Sequence, residues 1–391
     1  MSSDSERPVS SSRVERALTS IPVFSPFTGT DTIKAVVDAL ADGWLGMGRL
    51  TQQFETAIAE FLGLSSRRVV AVNTGTSALH IALRLAGVGP GDEVITTSFN
   101  YVADHQAIRM CGAEPVMADI CEPNLGIDPF SAERLIGPRT RALLPLHFAG
   151  LPADLDNLYK LADDHGLRVV EDACHAFGTE VDGHSIGSTG DLTCFSFDPV
   201  KVVTALDGGC VVVPDESSED QLRLYRFLGV DKETHLRYKN ARAWEYDVVS
   251  DGFRYHLNSV SAAVGLSQMA RVGEFIESRR AVCRTYNGAF SGLSWCAPVA
   301  KSFSGVSPFI YSLRVRADLR PAFIGHMDDR CIATGIHFIP VHRHSHFRKC
   351  RTDALPMTEL VCDEVVTLPL HSLMPPHLVD RVVEAVTSFE P

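Results

Sequence analysis

The sequence predicts an α/β protein: a mostly parallel central sheet with helices on both faces, followed by a smaller C-terminal α+β domain. Three observations lead there. From Arg68 onward, short apolar runs alternate with stretches of helical period. The runs are nearly continuous in Val, Ile and Leu, as strands buried on both faces require. After about residue 275 the regular alternation stops, and 391 residues exceed one typical domain. The expected division is a tail over 1–22, a large domain over 23–262 and a small domain over 263–391.

Residues 1 to about 20 are Ser-rich and polar and read as a mobile tail. Thr30 or Asp31 then caps a helix with Ile33, Val36, Val37 and Leu40 at helical spacing, ending at Asp42 and Gly43. GWLGMGRL (43–50) is a glycine-punctuated loop, and a second helix from Thr51 carries Phe54, Ile58 and Phe61 on one face. VVAV, EVIT, EPVMADI, ALLPLHF and LRVVED supply strands, while 76–87, 101–112, 128–136 and 155–165 supply helices. A strand from Cys194 to Phe197 and another after the Gly208–Gly209 pair flank a polar turn. Residues 215–250 read as charged and irregular, with Tyr225, Tyr238, Trp244 and Tyr246 spaced through them. A long helix opens near Leu257, apolar at Val260, Ala263, Val264 and Met269. Beyond it come a helix from Arg279 to Phe290, a strand in FIYSLRV (309–315), a helix from Ala322 to Thr334, the strand IHFIPV (336–341) and a last helix from about His377 to Phe389.

A formal net charge of −12 argues against a nucleic-acid or anionic-membrane surface, so a bound phosphate must be held by local geometry. Ten cysteines without a CxxC or ligand framework read as free thiols in a reducing cytosol. No apolar run approaches a membrane span, and the first twenty residues lack a signal-peptide core.

Within DLTCFSFDPVKVVTALDGGCVVVP (191–214), Lys201 follows Asp198 and Pro199 and precedes Val202 and Val203. Its ammonium emerges from a stretch that otherwise reads as interior. Desolvation lowers an amine's pKa toward the range where it attacks carbonyls, so Lys201 is the candidate nucleophile. Asp172 stands at the end of the apolar run in LRVVED, where a parallel strand would present it to a site. Ser196 lies five residues before Lys201 with a hydroxyl able to meet a phosphate oxygen. In AVNTGTSALHIALRL (71–85) a strand runs into a turn that opens a helix, where the backbone around Gly75 and the hydroxyls of Thr76 and Ser77 form an anion site.

This order of elements resembles the DegT/DnrJ/StrS family of fold-type I, pyridoxal-phosphate (PLP)-dependent sugar aminotransferases. The resemblance runs from about Phe24 to Phe389 and is carried by NTGTSALHIAL, VVEDACHAFG and FSFDPVK with its following Gly pair. It implies that Lys201 carries the cofactor covalently and that Asp172 pairs with the pyridinium nitrogen, keeping it protonated. In SFNYVADHQAI it implies that Tyr101 stacks on the pyridine face, with Phe99 the rival ring. His175 falls where relatives place a side chain near the phenolic oxygen, a role that competes with a simple helix-start histidine. Asp104 departs from the family, which commonly has Thr or Ser there. DGFRYHLNSVSAAVGLSQMARV (251–272) is similar to the element that reaches the neighbouring subunit's cofactor phosphate, with Arg254 and His256 replacing the usual Asn and Arg. An arginine can hold phosphate by bidentate bonds, so Arg254 is compatible with that role, and the resemblance implies a homodimer with shared sites.

The same resemblance puts Trp44 near the sugar pocket, unless it is a buried loop aromatic, and sets the IHFIPVHRHSHFR stretch, with His337 and His342, beside substrate. His342, His344 and His346 recur at period two and invite a metal reading, but no carboxylate or thiolate partners accompany them, so no metal is expected. The implied reaction moves an amino group from glutamate to a nucleotide-linked keto sugar, typically a 4-keto-6-deoxyhexose. A 3-keto sugar or an aminocyclitol ketone is the alternative within enzymes. A PLP-binding regulator without turnover is the alternative outside them.

Overall fold

The structure is a computed structural model that describes residues 20–231 and 246–391. Most of the expected tail, and the aromatics Tyr238 and Trp244, lie outside the described residues. Ile21, assigned to the tail from sequence, is 1% exposed and pairs with Ile332.

Two helices lead in: α1 (Thr30–Asp42) and α2 (Arg49–Phe61). The N-cap of α1 is Gly29, one residue before the expected cap, and no side chain caps it. The central sheet has seven strands: β1 (Arg68–Val72), β2 (Glu93–Thr97), β3 (Glu114–Ala118), β4 (Thr140–Leu144), β5 (Arg168–Asp172), β8 (Leu192–Ser196) and β9 (Gly209–Val213). The small ribbon β6 (Glu180–Val181) and β7 (His184–Ser185) lies apart as its own two-stranded sheet. Their order is β1-β9-β8-β5-β4-β2-β3. Pairs among β2, β3, β4, β5 and β8 are parallel, and β9 runs antiparallel to both its neighbours.

Helices α3 (Gly75–Leu85), α4 (Ala103–Met110), α5 (Pro129–Leu135) and α6 (Leu155–His165) connect the strands. Alternate residues of β1 show why both faces must be covered. Val70 and Val72 enter one apolar cluster with Leu79 and Leu83 of α3, while Val69 and Ala71 enter another with Phe54 and Ile58 of α2. Each fully buried valine contributes about 1.5–3 kcal/mol relative to exposure, so one-residue slips of register are strongly disfavoured.

Helix α7 (Glu216–Arg226) occupies part of the segment read as irregular. Asp215 caps it by accepting the Ser218 N–H at 2.8 Å. Of its side chains only Leu222 and Arg226 are buried, which left no apolar period to read. Arg226 is held by Glu55 at 2.5 Å and by the Ala71 carbonyl at 3.0 Å, a buried ion pair that ties α7 to α2 and β1.

Helix α8 (Ser259–Met269), capped by Asn258, gives way to α9 (Val272–Phe290). The first turns of α9 pack in the cluster beneath the large sheet through Val272, Phe275 and Ile276. Its last turns pack through Val282, Tyr286 and Phe290 against a second sheet. That sheet is antiparallel, in the order β10 (Cys296–Pro298), β11 (Tyr311–Val315), β12 (Val365–Leu368), and is backed by α10 (Arg320–Asp329) and α12 (Pro376–Thr387). A further helix, α11 (Pro356–Glu364), precedes β12.

Two expectations are corrected here. Helix α10 stops at Asp329, not Thr334, because Cys331 turns left-handed (φ 57°) and releases Ile332 to pair with Ile21. IHFIPV is no strand: the chain bends at Pro340 into a 3-10 turn, Val341–Arg343, so His342, His344 and His346 do not line one extended face.

Candidate active site

The carboxyl ends of β1, β2, β5 and β8 open on a cavity of about 410 Å³. Strands that run parallel deliver their ends to one edge of the sheet, which is why sequence-distant residues meet there. Gly75, Thr76, Tyr101, Asp172, His175, Ser196, Lys201 and His337 all line it.

The first turn of α3 forms one wall. Thr74 caps the helix, accepting the Ser77 N–H at 2.9 Å. The Ser77 hydroxyl turns inward to Asn73 Oδ1 (2.7 Å) and Thr74 Oγ1 (2.8 Å), so it is committed to the cap and stands outside the cavity lining, contrary to the sequence reading. The amides of Gly75 and Thr76 have no acceptor within the helix and supply the donors instead. A Cβ on Gly75 would sit 2.7 Å from Ser196 Cβ and 2.9 Å from Ser196 Oγ. The absence of a side chain there leaves a cradle between helix start and serine hydroxyl. Gly209 permits the same approach from β9, since a Cβ there would lie 2.5 Å from the Thr74 carbonyl.

Lys201 ends a tight turn that Asp198 shapes twice: its carbonyl accepts the Lys201 N–H at 3.0 Å and its side chain accepts the Val200 N–H at 3.0 Å. Burial pulls the Lys201 ammonium below its usual 10.5, against the opposing charges of Cys174, Asp172 and Asp198. Asp172 is 4% exposed and anchored by the Cys174 N–H at 2.9 Å. His175 lies against the Phe309 ring, 4.4 Å between centroids, and its Nδ1 has no partner among the described residues. Burial first, then Lys201, holds it well below the ordinary histidine range, so it is neutral. His337 is pulled to about 4 by burial and Lys201, and its Nδ1 meets Thr367 Oγ1 at 2.9 Å.

Tyr101 stands at the rim, 61% exposed, whereas its rival Phe99 is fully buried against Phe148 and lines no part of the cavity. Trp44 is outside as well; its indole N–H donates to the Met47 carbonyl at 3.0 Å and closes its own loop. His342 is also outside, between Ser98 Oγ (2.7 Å) and Glu359 (2.6 Å). Arg254 is exposed on the segment before α8 and absent from this cavity. Phe24, Phe309 and Phe338 were not read as site residues, yet they line the cavity as well. Phe24 stacks on Phe309 at 5.5 Å. They come from loops near the two ends of the sequence, and isolated apolar residues carry no motif. Among the described residues no group of three His, Cys, Asp or Glu side chains is placed to hold a metal ion, and no helix is long and apolar enough to cross a membrane.

The donor set fits a phosphorylated pyridine aldehyde: an amine beside a carboxylate for the ring, and a helix start with a hydroxyl for the phosphate. A sheet of this order with such a site at its carboxyl edge defines a fold-type I transferase, and known structures of the same fold are aminotransferases. The chain belongs to the DegT/DnrJ/EryC1/StrS aminotransferase family, whose profile matches residues 26–387. It is 35% identical over 378 residues to the spore coat polysaccharide biosynthesis protein SpsC of Bacillus subtilis, spanning 94% of this chain and 96% of that one. The aminotransferase TlmJ of Streptoalloteichus hindustanus superposes with a TM-score of 0.86 at 32% identity, over 94% of this chain and 98% of its own. The sugar aminotransferase CalS13 of Micromonospora echinospora gives 0.86 at 31% identity, over 95% of this chain and 100% of its own.

Proposed function

We propose that this PLP-dependent aminotransferase moves the amino group of glutamate onto a nucleotide-linked keto-deoxy sugar, with a 4-keto-6-deoxyhexose the first substrate to test. One observation carries the reading: Lys201, Asp172 and the open first turn of α3 line the same cavity. When bound, PLP supplies an aldehyde that takes up and passes on the amino group and a protonated ring that draws electrons from the carbon losing its proton.

The chain's own residues do the rest. The amides at the start of α3 and the Ser196 hydroxyl hold the phosphate, a helix N-terminus being favourable for an anion. Asp172 holds its charge toward the ring nitrogen. Lys201, whose lowered pKa raises the share of unprotonated amine, offers its Nζ for attachment and would then move a proton from the donor's α-carbon. Tyr101 would cover one ring face, neutral His175 would meet the phenolic oxygen, and His337 would lie toward the sugar. Phe24, Phe309 and Phe338 exclude water from the amine.

A homodimer belongs to this reading. Arg254 is exposed, and among the described residues no carboxylate or carbonyl holds its guanidinium, which leaves it available to a second copy's phosphate. Ile33, Val37 and Leu40 make an exposed apolar stripe along α1 that the second copy would cover. The test is mass spectrometry of mixtures containing the protein, PLP, glutamate and a panel of nucleotide-linked keto sugars. The expected result is an amino sugar formed together with 2-oxoglutarate. Failure of glutamate to convert the cofactor, with no amine on any sugar, would overturn it.

A further inference from the structure

Asp104 belongs to the cavity and has no role in the scheme above. It sits in the first turn of α4 with no solvent exposure. Its Oδ2 accepts from Asn100 Nδ2 at 2.7 Å, while its Oδ1 is buried with no partner among the described residues. The carboxyl of Asp172 lines the same cavity and neighbours it. Two ionised carboxylates are acceptor facing acceptor, and neither can satisfy the other. A proton on one converts the same contact into a short charge-assisted bond. Burial and the neighbouring Asp172 both act to keep that proton on Asp104.

We propose that Asp104 is a positioning residue, a neutral carboxylic acid whose proton bonds to the Asp172 carboxylate and fixes the oxygen that Asp172 turns to the cofactor's ring nitrogen. The pair then carries one negative charge, matching one pyridinium. The inference rests on Asp172 as the partner of that nitrogen. The groups around the pair are few. Asn100 bonds to Asp104, Thr96 lies nearby, Cys194 of β8 and Cys174 lie beside Asp172, and Lys201 lines the same cavity as Asp172. Burial holds both thiols well above their usual range, so at neutral pH Lys201 is the group whose charge bears on the pair.

The test has an arm without cofactor. Infrared difference spectra of the apoprotein, wild type against Asp104→Asn, are expected to show a carboxylic-acid carbonyl band at neutral pH in the wild type that the variant lacks. No such band overturns the proposal whatever becomes of the aminotransferase reading. The second arm follows PLP binding and the visible spectrum of the bound cofactor against pH. Asp104→Asn keeps a neutral donor and is expected to hold PLP nearly as wild type does. Asp104→Ala leaves Asp172 without its donor and is expected to weaken PLP about tenfold, the size of one charge-assisted bond. In the wild type the spectrum should change at high pH as the shared proton leaves, and Asp104→Asn should lack that step. Equal losses in Asn and Ala variants, no loss in either, or an unchanged high-pH step in Asp104→Asn would each overturn it. Melting curves of both variants show whether they fold, and a misfolded Ala variant is replaced by Asp104→Leu.

Discussion

The Lys201 Nζ lies 4.0 Å from the centroid of the Phe309 ring. The contact has two opposed effects on the amine. The ring face favours the charged form by about 0.5–2 kcal/mol, while the water it displaces favours the neutral form. Burial is the larger effect, since the Lys201 pKa is lowered overall. PLP attachment to the apoprotein needs the unprotonated amine, so its rate should rise with pH through a midpoint below 10.5. Phe309→Ala admits water and is expected to move that midpoint up. Stopped-flow absorbance across a pH series measures it, and an unmoved midpoint would mean that the ring does not desolvate the lysine.

Among the described residues, Lys201 is the one amine lining the cavity, and Lys201→Ala removes it. The variant is expected to retain PLP through its phosphate yet lose the visible band of the covalent complex. Turnover should fall at least about 100-fold, the low end of what a positioned proton carrier contributes. Borohydride treatment followed by peptide mass spectrometry should find the cofactor on Lys201 in the wild type. Cofactor trapped on another lysine would sink the assignment.

The cradle at Gly75 is tested by filling it. Gly75→Ala places a methyl group against Ser196 Cβ and Oγ and 3.3 Å from Cys174 Sγ. Its PLP affinity is expected to drop by more than tenfold, and that of Ser196→Ala by about tenfold for one lost bond to a charged group. Pyridoxal, which lacks the phosphate, is the control. Its affinity should change little in Ser196→Ala, and equal losses for both ligands would show that the serine does not touch phosphate.

The parallel core and the convergence of Asp172, Ser196 and Lys201 were legible because period and strand-end position are local signals. What Asp104 does was not: its family departure was visible in the sequence, but the proton between it and Asp172 depends on the first turn of α4 meeting the end of β5. Ser77 was misread for a related reason. A hydroxyl in the first turn of a helix is equally able to bind an anion or to join the cap, and only the positions of Asn73 and Thr74 decide. Nearer the C-terminus, IHFIPV has the composition of a strand, yet β12 takes the place beside β11 in the sheet, and Gly335, just before it, makes an isolated bridge to Thr367. Phe309 and Phe338 enter the cavity through that packing, which no local pattern encodes.

Acid sensitivity has a specific source in His105. Its ring is fully buried with neither nitrogen partnered among the described residues, edge-on to Phe347 at 5.5 Å. Burial first, then His344, pulls its pKa to about 3 from the usual 6.5. Above 6.5 both folded and unfolded chains leave it neutral, and it contributes no pH dependence. Between 6.5 and about 3 the unfolded chain binds a proton that the folded one does not, so stability falls as pH falls, by about 1.4 kcal/mol per unit. Asp104 has the opposite sign, because its raised pKa means the fold holds a proton that the unfolded chain releases. The comparison that isolates the histidine is the wild type against His105→Phe, which keeps a ring against Phe347. From pH 6.5 to pH 5 the variant is expected to lose about 2 kcal/mol less stability than the wild type. Urea unfolding of the apoprotein at both pH values reads the difference directly, independent of any constant offset from packing. Parallel losses in the two proteins would place the acid sensitivity elsewhere.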